Sequence, residues 1–533
     1  MKNRILWSLT LPLLAVMAAV QVITALEENQ TFDEAVHMLA GYSYLETGDF
    51  RLNPEHPPLG KILNALPLLL FLKPELPTKD PRWPDGDLYD LGEAFLYRNR
   101  IPADRMLFAS RLVTIALTLL LGAAIAVWTR RHFGAGPAVL ATFLFCTDPN
   151  FIAHGRYVTT DLIAALFIFL SCVTWGRFLR TRCRRDLLLA GITLGLALLS
   201  KFSALFLIPV LMALYLIRRW QAPDAYSLRH FAISIAVLFL IGGLVVATAY
   251  GPESVRALKR GDIESHAFWK GYEEVSKSYS EGRDSYLLGM QGKGWWYYYP
   301  VAFAVKTPTA VLLLLAIALA AAFPSLLQLE SLRGAGFDWV LLALPAVAYF
   351  AMSLSSRLDI GFRHLLPIFP FLLIAVSAGL WHWRHSGKVL AGIVVAVVAL
   401  QTFECVKIYP YYLSFFNSIS GGPGNGERYL LDSTIDWGQD LKRLKLYLDA
   451  HHLPNGICMC YFGRGLPRYY GVGDAYIPHT DEPEEIAALN CIAAISVTSL
   501  HDIYQRPGNY EWLRHRTPIG RVGYSMYVFD LRK

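Results

Sequence analysis

Charge is scarce in this sequence. Asp, Glu, Lys and Arg make up 17% of its 533 residues, hydrophobic residues make up 54%, and the mean hydropathy is +0.36. Soluble domains carry about 25% charged residues, so an ordinary water-soluble enzyme is excluded. Material for a disulfide framework is equally short. The seven cysteines are odd in number, and Cys146, Cys172 and Cys405 lie in or beside apolar runs. Only Cys458, Cys460 and Cys491, in a polar stretch, are candidates for a pair. No internal repeat or low-complexity segment is evident. The surplus of base, 49 Lys and Arg against 42 Asp and Glu for a net +7, does not point to nucleic acid, because the arginines fall mostly in short loops between apolar segments.

What the sequence has in abundance is apolar runs near the roughly 20 residues that cross a bilayer as a helix. The first, Leu6 to Leu26, follows the basic Met1 to Arg4. The next residues, Glu27-Glu28-Asn29, offer no small-residue cleavage site, so the run reads as an uncleaved span. Further spans centre on 107–128, 137–148, 161–178, 187–200, 203–217, 230–250, 308–325, 337–354, 364–381 and 388–406. The fold class is a polytopic α-helical membrane protein with about eleven crossings. Ile62–Leu72 is too short to cross upright and is expected to be re-entrant or interfacial.

Positive residues test that count. With the amino terminus cytoplasmic, the inner loops carry Arg130 and Arg131, then Arg177, Arg180, Arg182, Arg184 and Arg185, then Arg218, Arg219 and Arg229, then Arg333, then Arg384 and Lys388. Loops 27–106, 149–160, 251–307 and 355–363, and everything after Tyr409, fall outside and hold most of the Asp, Glu, Trp and Tyr. The chemistry is therefore expected on the external face. Residues 1–408 form the transmembrane part. Residues 409–533 turn polar and alternate, with a helix spaced at Leu441, Leu444 and Leu448 and strands at Ile457–Phe462, Ile492–Val497 and Tyr524–Leu531, which predicts a small external α/β domain.

Ionisable groups collect at the external helix ends. Asp33 and Glu34 follow Thr31, a candidate N-cap, and are expected in the first turn of an amphipathic helix. His56-Pro57-Pro58 reads as a stiff entry into the next helix. Asp148 and Asp161 flank the polar hairpin His154 to Thr160. Lys201 interrupts an apolar stretch, and Lys306 and Arg363-His364 open spans. Such groups are costly beside a bilayer and are usually functional; snorkelling to headgroups is the ordinary alternative for any one cation. Carboxylates and cations beside an apolar groove suit transfer of a group from a lipid-linked phosphate. A carboxylate takes the proton of an acceptor hydroxyl, and a fixed cation meets the departing phosphate. Trp295-Trp296-Tyr297-Tyr298-Tyr299-Pro300 reads first as an interfacial aromatic belt, and second as a stacking surface.

These segments, with Lys306-Thr307-Pro308, Gly361-Phe362-Arg363-His364-Leu365-Leu366-Pro367 and Asp432-Ser433-Thr434-Ile435-Asp436-Trp437-Gly438-Gln439-Asp440-Leu441, run in order along nearly the whole chain. Together they resemble prokaryotic members of the GT-C glycosyltransferases of family 39, which holds protein O-mannosyltransferases and lipid A aminoarabinose transferases. The resemblance implies an inverting transfer of a monosaccharide from a polyprenyl-phosphate donor to a hydroxyl of protein, lipid or glycan. It implies Asp33 as base, Glu34 supporting it or touching substrate, and Asp161 as a further acid. Arg363, with Lys306 and Lys201 and beside His364, would hold the donor phosphate. His56 stands where the aminoarabinose transferases carry Lys, and matches the mannosyltransferase-like form. Some GT-C enzymes use a divalent metal; Asp33, Glu34, His37, His56 and Asp161 are the ligand candidates, in no closed zinc spacing. The Asp432–Leu441 segment is expected to pack the external domain on the membrane part and not to act in catalysis. A secondary transporter is the rival reading, but transporters set their charges near the midplane and often carry inverted repeats. A non-catalytic scaffold would leave Asp33, Glu34 and Arg363 without a reason.

Overall fold

The computed structural model describes all residues except 1, 85–86, 224–226, 262–265, 327–335, 382–386, 474, 478–482, 507 and 533. Arg333 and Arg384, used above to orient the chain, lie outside the described residues. Every one of the eleven apolar segments contains a helix. Among the described residues, seven helices are long and apolar enough to cross a membrane: Leu6–Glu27, Ala103–Phe133, Asp161–Thr181, Phe202–Gln221, Leu228–Tyr250, Phe362–Leu380 and Gly387–Lys407. An eighth arises if Tyr298–Lys306 and Thr309–Ala321, bent by 111°, form one broken span. Ala135–Cys146 and Phe337–Ser353 are apolar but shorter, and Arg184–Leu198 has 15 residues. The chain is thus a polytopic helical membrane protein in which unbroken helix length supports fewer crossings than the count of apolar centres. Two of the boundaries between apolar segments are backbone breaks: Gly134 leaves the helix at φ 96, and Lys201 is extended at φ −161. Leu9, Val16, Leu240, Leu244, Val395 and Val406 face outward, as lipid-facing side chains do.

Small residues set one close helix contact. A Cβ on Gly191 would come within 2.6 Å of Ile241, and one on Gly195 within 2.8 Å of the Gly242 carbonyl, so Arg184–Leu198 and Leu228–Tyr250 touch backbone to backbone. Leu59–Leu72 is a short apolar helix. The helix Glu34–Thr47 departs from expectation. Eleven successive residues from Glu34 to Tyr44 are buried, so it is covered on all sides and is not amphipathic. Its N-cap is Asp33, whose side chain makes no capping bond, and Thr31 does not cap it. Glu34 reaches back instead and accepts the Thr31 N–H at 2.8 Å.

The carboxy-terminal part contains a five-stranded sheet in the order Ala475–Tyr476, Cys458–Cys460, Ile492–Ser496, Met526–Asp530, Gly520–Val522. The first three strands are parallel and the last two add antiparallel. Leu441–Ala450 buries Leu441, Leu444 and Leu448 completely against this sheet. Cys458 and Cys491 form a disulfide, and Cys460 stays free. The strands Ala475–Tyr476 and Gly520–Val522 and the hairpin Ser285–Leu287 with Met290–Gly292 are too short to leave an alternating pattern. This region is bound tightly to the start of the chain. Asn29 Nδ2 donates to the Gly438 carbonyl at 2.6 Å, the Leu441 N–H donates to Asn29 Oδ1 at 2.7 Å, and Arg443 meets Glu28 at 3.1 Å.

Candidate active site

The turn before Glu34–Thr47, the start of Asp161–Thr181, the break at Lys201, the 3-10 turn Phe362–Ile368 and the turn Asp432–Thr434 converge on one cavity of about 520 Å³. Asp33, His56, Asp161, Lys201, Arg363 and His364 all line it. Gly361 lets the Arg363 turn approach closely, since a Cβ there would stand 2.5 Å from Ser433 Oγ. That hydroxyl donates to the Ile360 carbonyl and staples the two turns together.

Arg363 stands between two acids. Its Nη2 lies 3.7 Å from Asp33 Oδ2 and its Nε 3.6 Å from Asp161 Oδ2. Lys201 Nζ donates to Asp161 Oδ1 and lies 3.3 Å from His364 Nδ1. Among the described residues, Arg363 Nη1 and His364 Nε2 are buried with no partner. Buried donors left this way are uncommon, and both residues line the cavity. His37 and His56 stack with ring centroids 5.2 Å apart.

Burial pushes the Asp33 carboxyl up to about 6; Arg363 opposes the rise, while Glu55, Asp432 and Asp161 add to it. A carboxylate tuned this way is a stronger base than an exposed one and still ionised at neutral pH. Burial also depresses His37 to about 3 and His56 well below the usual range, with Lys61 and Lys201 acting in the same direction on both. Both imidazoles are therefore neutral hydrogen-bonding groups here. Asp432 is raised, chiefly by burial, against a hydrogen bond from Tyr504.

Two expected site residues take other places. Glu34 is fully buried and does not line the cavity. Arg111 holds it through Nε at 2.9 Å and Nη2 at 2.6 Å, and the Thr31 and Val158 N–H groups occupy its remaining acceptor positions at 2.8 and 3.0 Å. This arrangement braces the turn that carries Asp33. Lys306 is equally committed. Its Nζ donates to the Leu413 and Thr434 carbonyls at 2.9 and 2.7 Å, lies 4.7 Å from the Phe416 ring and stays out of the cavity lining. It props up the Asp432–Thr434 turn from outside the cavity lining.

The cavity also takes Glu55, Tyr89, Arg283, Asp432, Trp437 and Tyr504. Asp432 and Trp437 come from the segment expected only to pack, and Asp432 sits at φ 57, a costly backbone for a residue other than glycine. In the aromatic run, Tyr298 and Tyr299 are buried core residues, Trp296 is exposed, and none of these three lines the cavity. Among the described residues no three His, Cys, Asp or Glu side chains converge as a metal-holding group. The donor set, with Asp161 and Asp33 facing Arg363 and Lys201, does not fit a bound divalent ion, and no step below uses one.

Residues 7–253 match the family described as dolichyl-phosphate-mannose-protein mannosyltransferase. A curated relative, undecaprenyl phosphate-alpha-4-amino-4-deoxy-L-arabinose arabinosyl transferase 1 of Pseudomonas fluorescens, is 25% identical over 335 residues, 58% of this chain and 53% of that protein. The chain thus spans about half the length of that relative. Among solved structures, ArnT of Cupriavidus metallidurans in the apo state superposes with a TM-score of 0.50 at 16% identity, covering 98% of this chain and 97% of that one. The same protein bound to undecaprenyl phosphate gives 0.49 at 13% identity, over 98% of both chains. The fold is that of ArnT. The family matched over residues 7–253, this fold and the motifs that run from Asp33 to Leu441 agree in their likeness to the GT-C glycosyltransferases of the family 39 type.

Proposed function

We propose that this cavity transfers a monosaccharide from a polyprenyl-phosphate donor to a hydroxyl on a protein, lipid or glycan acceptor. The observation that carries the reading is Arg363, on the wall of this cavity, 3.7 Å from Asp33 and 3.6 Å from Asp161. The donors named for the matched family and for the curated relative are both sugars on a polyprenyl phosphate. Their shared chemistry is an anomeric carbon bonded to a phosphate oxygen.

Asp33 takes the acceptor hydroxyl proton as the new bond from acceptor oxygen to anomeric carbon forms. The bond from that carbon to the phosphate oxygen breaks, and polyprenyl phosphate leaves with the electron pair. Arg363 meets the charge that grows on the phosphate, and Lys201, held by Asp161, adds a second cation to the same wall. With a single base and no carboxylate acting as nucleophile, displacement inverts the anomeric centre. His56 and His364 donate or accept as neutral groups to donor or acceptor oxygens. In this reading the chain crosses the membrane eleven times, the cavity faces the extracytoplasmic side, and residues 409–533 form an external domain that supplies part of its wall.

The test is direct. Full-length protein in lipid nanodiscs is supplied with polyprenyl-phosphate sugars and peptide, lipid or glycan acceptors, and products are read by mass spectrometry. Transfer is expected from at least one such donor and is expected to fall at least a thousandfold in Asp33→Asn. Full transfer by a well-folded Asp33→Asn protein would remove Asp33 as base.

A further inference from the structure

Arg363 is unusual among the buried arginines of this chain. Arg111 and Glu34 close to 2.6 Å, Arg156 and Glu28 to 2.7 Å, and Arg443 and Asp440 to 2.6 Å, the range of about 2.7–2.9 Å or less expected of charge-assisted hydrogen bonds. Arg363 faces two carboxylates and closes on neither, at 3.7 and 3.6 Å. Something else fixes its plane. That something is Trp437, whose ring centroid lies 4.1 Å from Arg363 Cζ, well inside the roughly 6 Å reach of a cation–π contact.

Trp437 is itself held from every direction. It is buried, its backbone N–H donates to Gln439 Oε1 at 2.8 Å, and its ring meets His154 and Tyr157 edge-on at 6.1 and 5.9 Å. Tyr157 in turn donates to Glu28 at 2.9 Å. The Trp437 carbonyl accepts the Phe32 N–H at 2.9 Å, so the residue that carries the guanidinium platform also anchors the backbone next to Asp33.

We propose that Trp437 is a positioning residue: its indole face holds the Arg363 guanidinium off Asp33 and Asp161 and keeps it open to the donor phosphate, while its carbonyl fixes the turn that carries the base. The proposal rests on the phosphate role given to Arg363 above. Without the indole face, the guanidinium swings onto the nearest acid. Asp161 already has Lys201, so Asp33 is the acid with room. A closed Arg363–Asp33 pair would both withdraw the cation from the donor and favour the ionised form of Asp33 more strongly. The groups facing Asp33 are Arg363, Glu55, Asp432 and Asp161, with Tyr89 beside them. Only Arg363 changes its distance in this scheme.

The experiment compares Trp437→Leu and Trp437→Phe with the native chain, as full-length protein in nanodiscs. Trp437→Leu is expected to raise the donor KM at least tenfold, to leave the acceptor KM within about twofold, and to move the acid limb of kcat/KM downward by about one pH unit. Trp437→Phe, with a smaller aromatic face, is expected to fall between the two on both measures. A folded Trp437→Leu protein with native donor KM and native acid limb overturns the proposal, and so does a loss confined to kcat. Should Trp437→Leu fail to fold, Trp437→Phe decides in the same way, with native values on both measures counting against the proposal.

A binding measurement separates this proposal from the one beneath it. A short-chain polyprenyl monophosphate without sugar is titrated, and stabilisation is followed by thermal shift. If Arg363→Gln binds it as the native protein does, the phosphate role of Arg363 falls. If Arg363→Gln loses binding and Trp437→Leu retains it in full, the phosphate role stands and the positioning role of Trp437 falls.

Discussion

Replacing Glu34 by alanine is expected to damage the fold and not the chemistry directly. Arg111 and Glu34 are both fully buried and share two short contacts, and Glu34 also receives the N–H groups of Thr31 and Val158. Removing one member of a buried pair leaves an uncompensated charge and costs about 3–5 kcal/mol. The two orphaned amides add about 1–3 kcal/mol each at most, and less in combination. Glu34→Ala should therefore lose at least about 3 kcal/mol in reversible denaturation in mixed micelles, read by tryptophan fluorescence. The double replacement Glu34→Leu with Arg111→Met should recover only part of this. Arg111 also donates to the Ala25, Glu28 and Asn29 carbonyls at 2.8, 3.1 and 2.8 Å, and methionine cannot. A Glu34→Ala protein with native stability and no transfer activity would refute the reasoning and return Glu34 to the reacting groups.

Arg363→Gln removes the one charge that holds the Asp33 carboxyl down, so the acid limb of kcat/KM should rise from about 6. At 3.7 Å the lost attraction is about 1 kcal/mol in a water-like medium and about 4 kcal/mol in a protein-like one, or about one to three pH units; an unmoved limb would count against Asp33 as the titrating base. Asp33→Asn should abolish the limb together with the activity. Breaking the Cys458–Cys491 disulfide, which closes a separation of 33 residues, should lower stability by about 2–4 kcal/mol, and thiol titration of the oxidised denatured chain should count five free cysteines. A membrane-impermeant maleimide applied to intact cells should label Leu446→Cys, an exposed site, and spare the native Cys183, also exposed; the reverse pattern would invert the topology.

Apolar periodicity and ionisable residues at helix ends made most of the site legible in the sequence. Asp33, His56, Asp161, Lys201, Arg363 and His364 share one cavity although they span 332 positions, because each sits where a helix starts or breaks at one level of the bundle. Glu34 and Lys306 carried the same outward signs and proved to be struts. A buried cation beside unsatisfied carbonyls and a buried cation beside a substrate look alike in one dimension. Asp432 and Trp437 were missed as cavity residues for the opposite reason. They lie in a polar stretch with no apolar pattern, and only the packing of Phe32 and Gly361 against that stretch reveals them. The number of crossings was read from apolar centres, and a sequence does not display how many residues of Ala135–Cys146, Arg184–Leu198 or Phe337–Ser353 stay helical.

The bond from Asn29 to the Gly438 carbonyl joins residues 409 positions apart, and its neighbours tie the Asp33 turn to the same late segment. At a synthesis rate of about 5–20 residues per second, roughly 20–80 s separate the emergence of the two ends. For that interval the ribosome holds a nascent chain whose base has no platform beside it, so the competent enzyme appears only after the final stretch has been translated and docked. Premature termination anywhere upstream of Asp432 would leave inserted but inert helices in the bilayer.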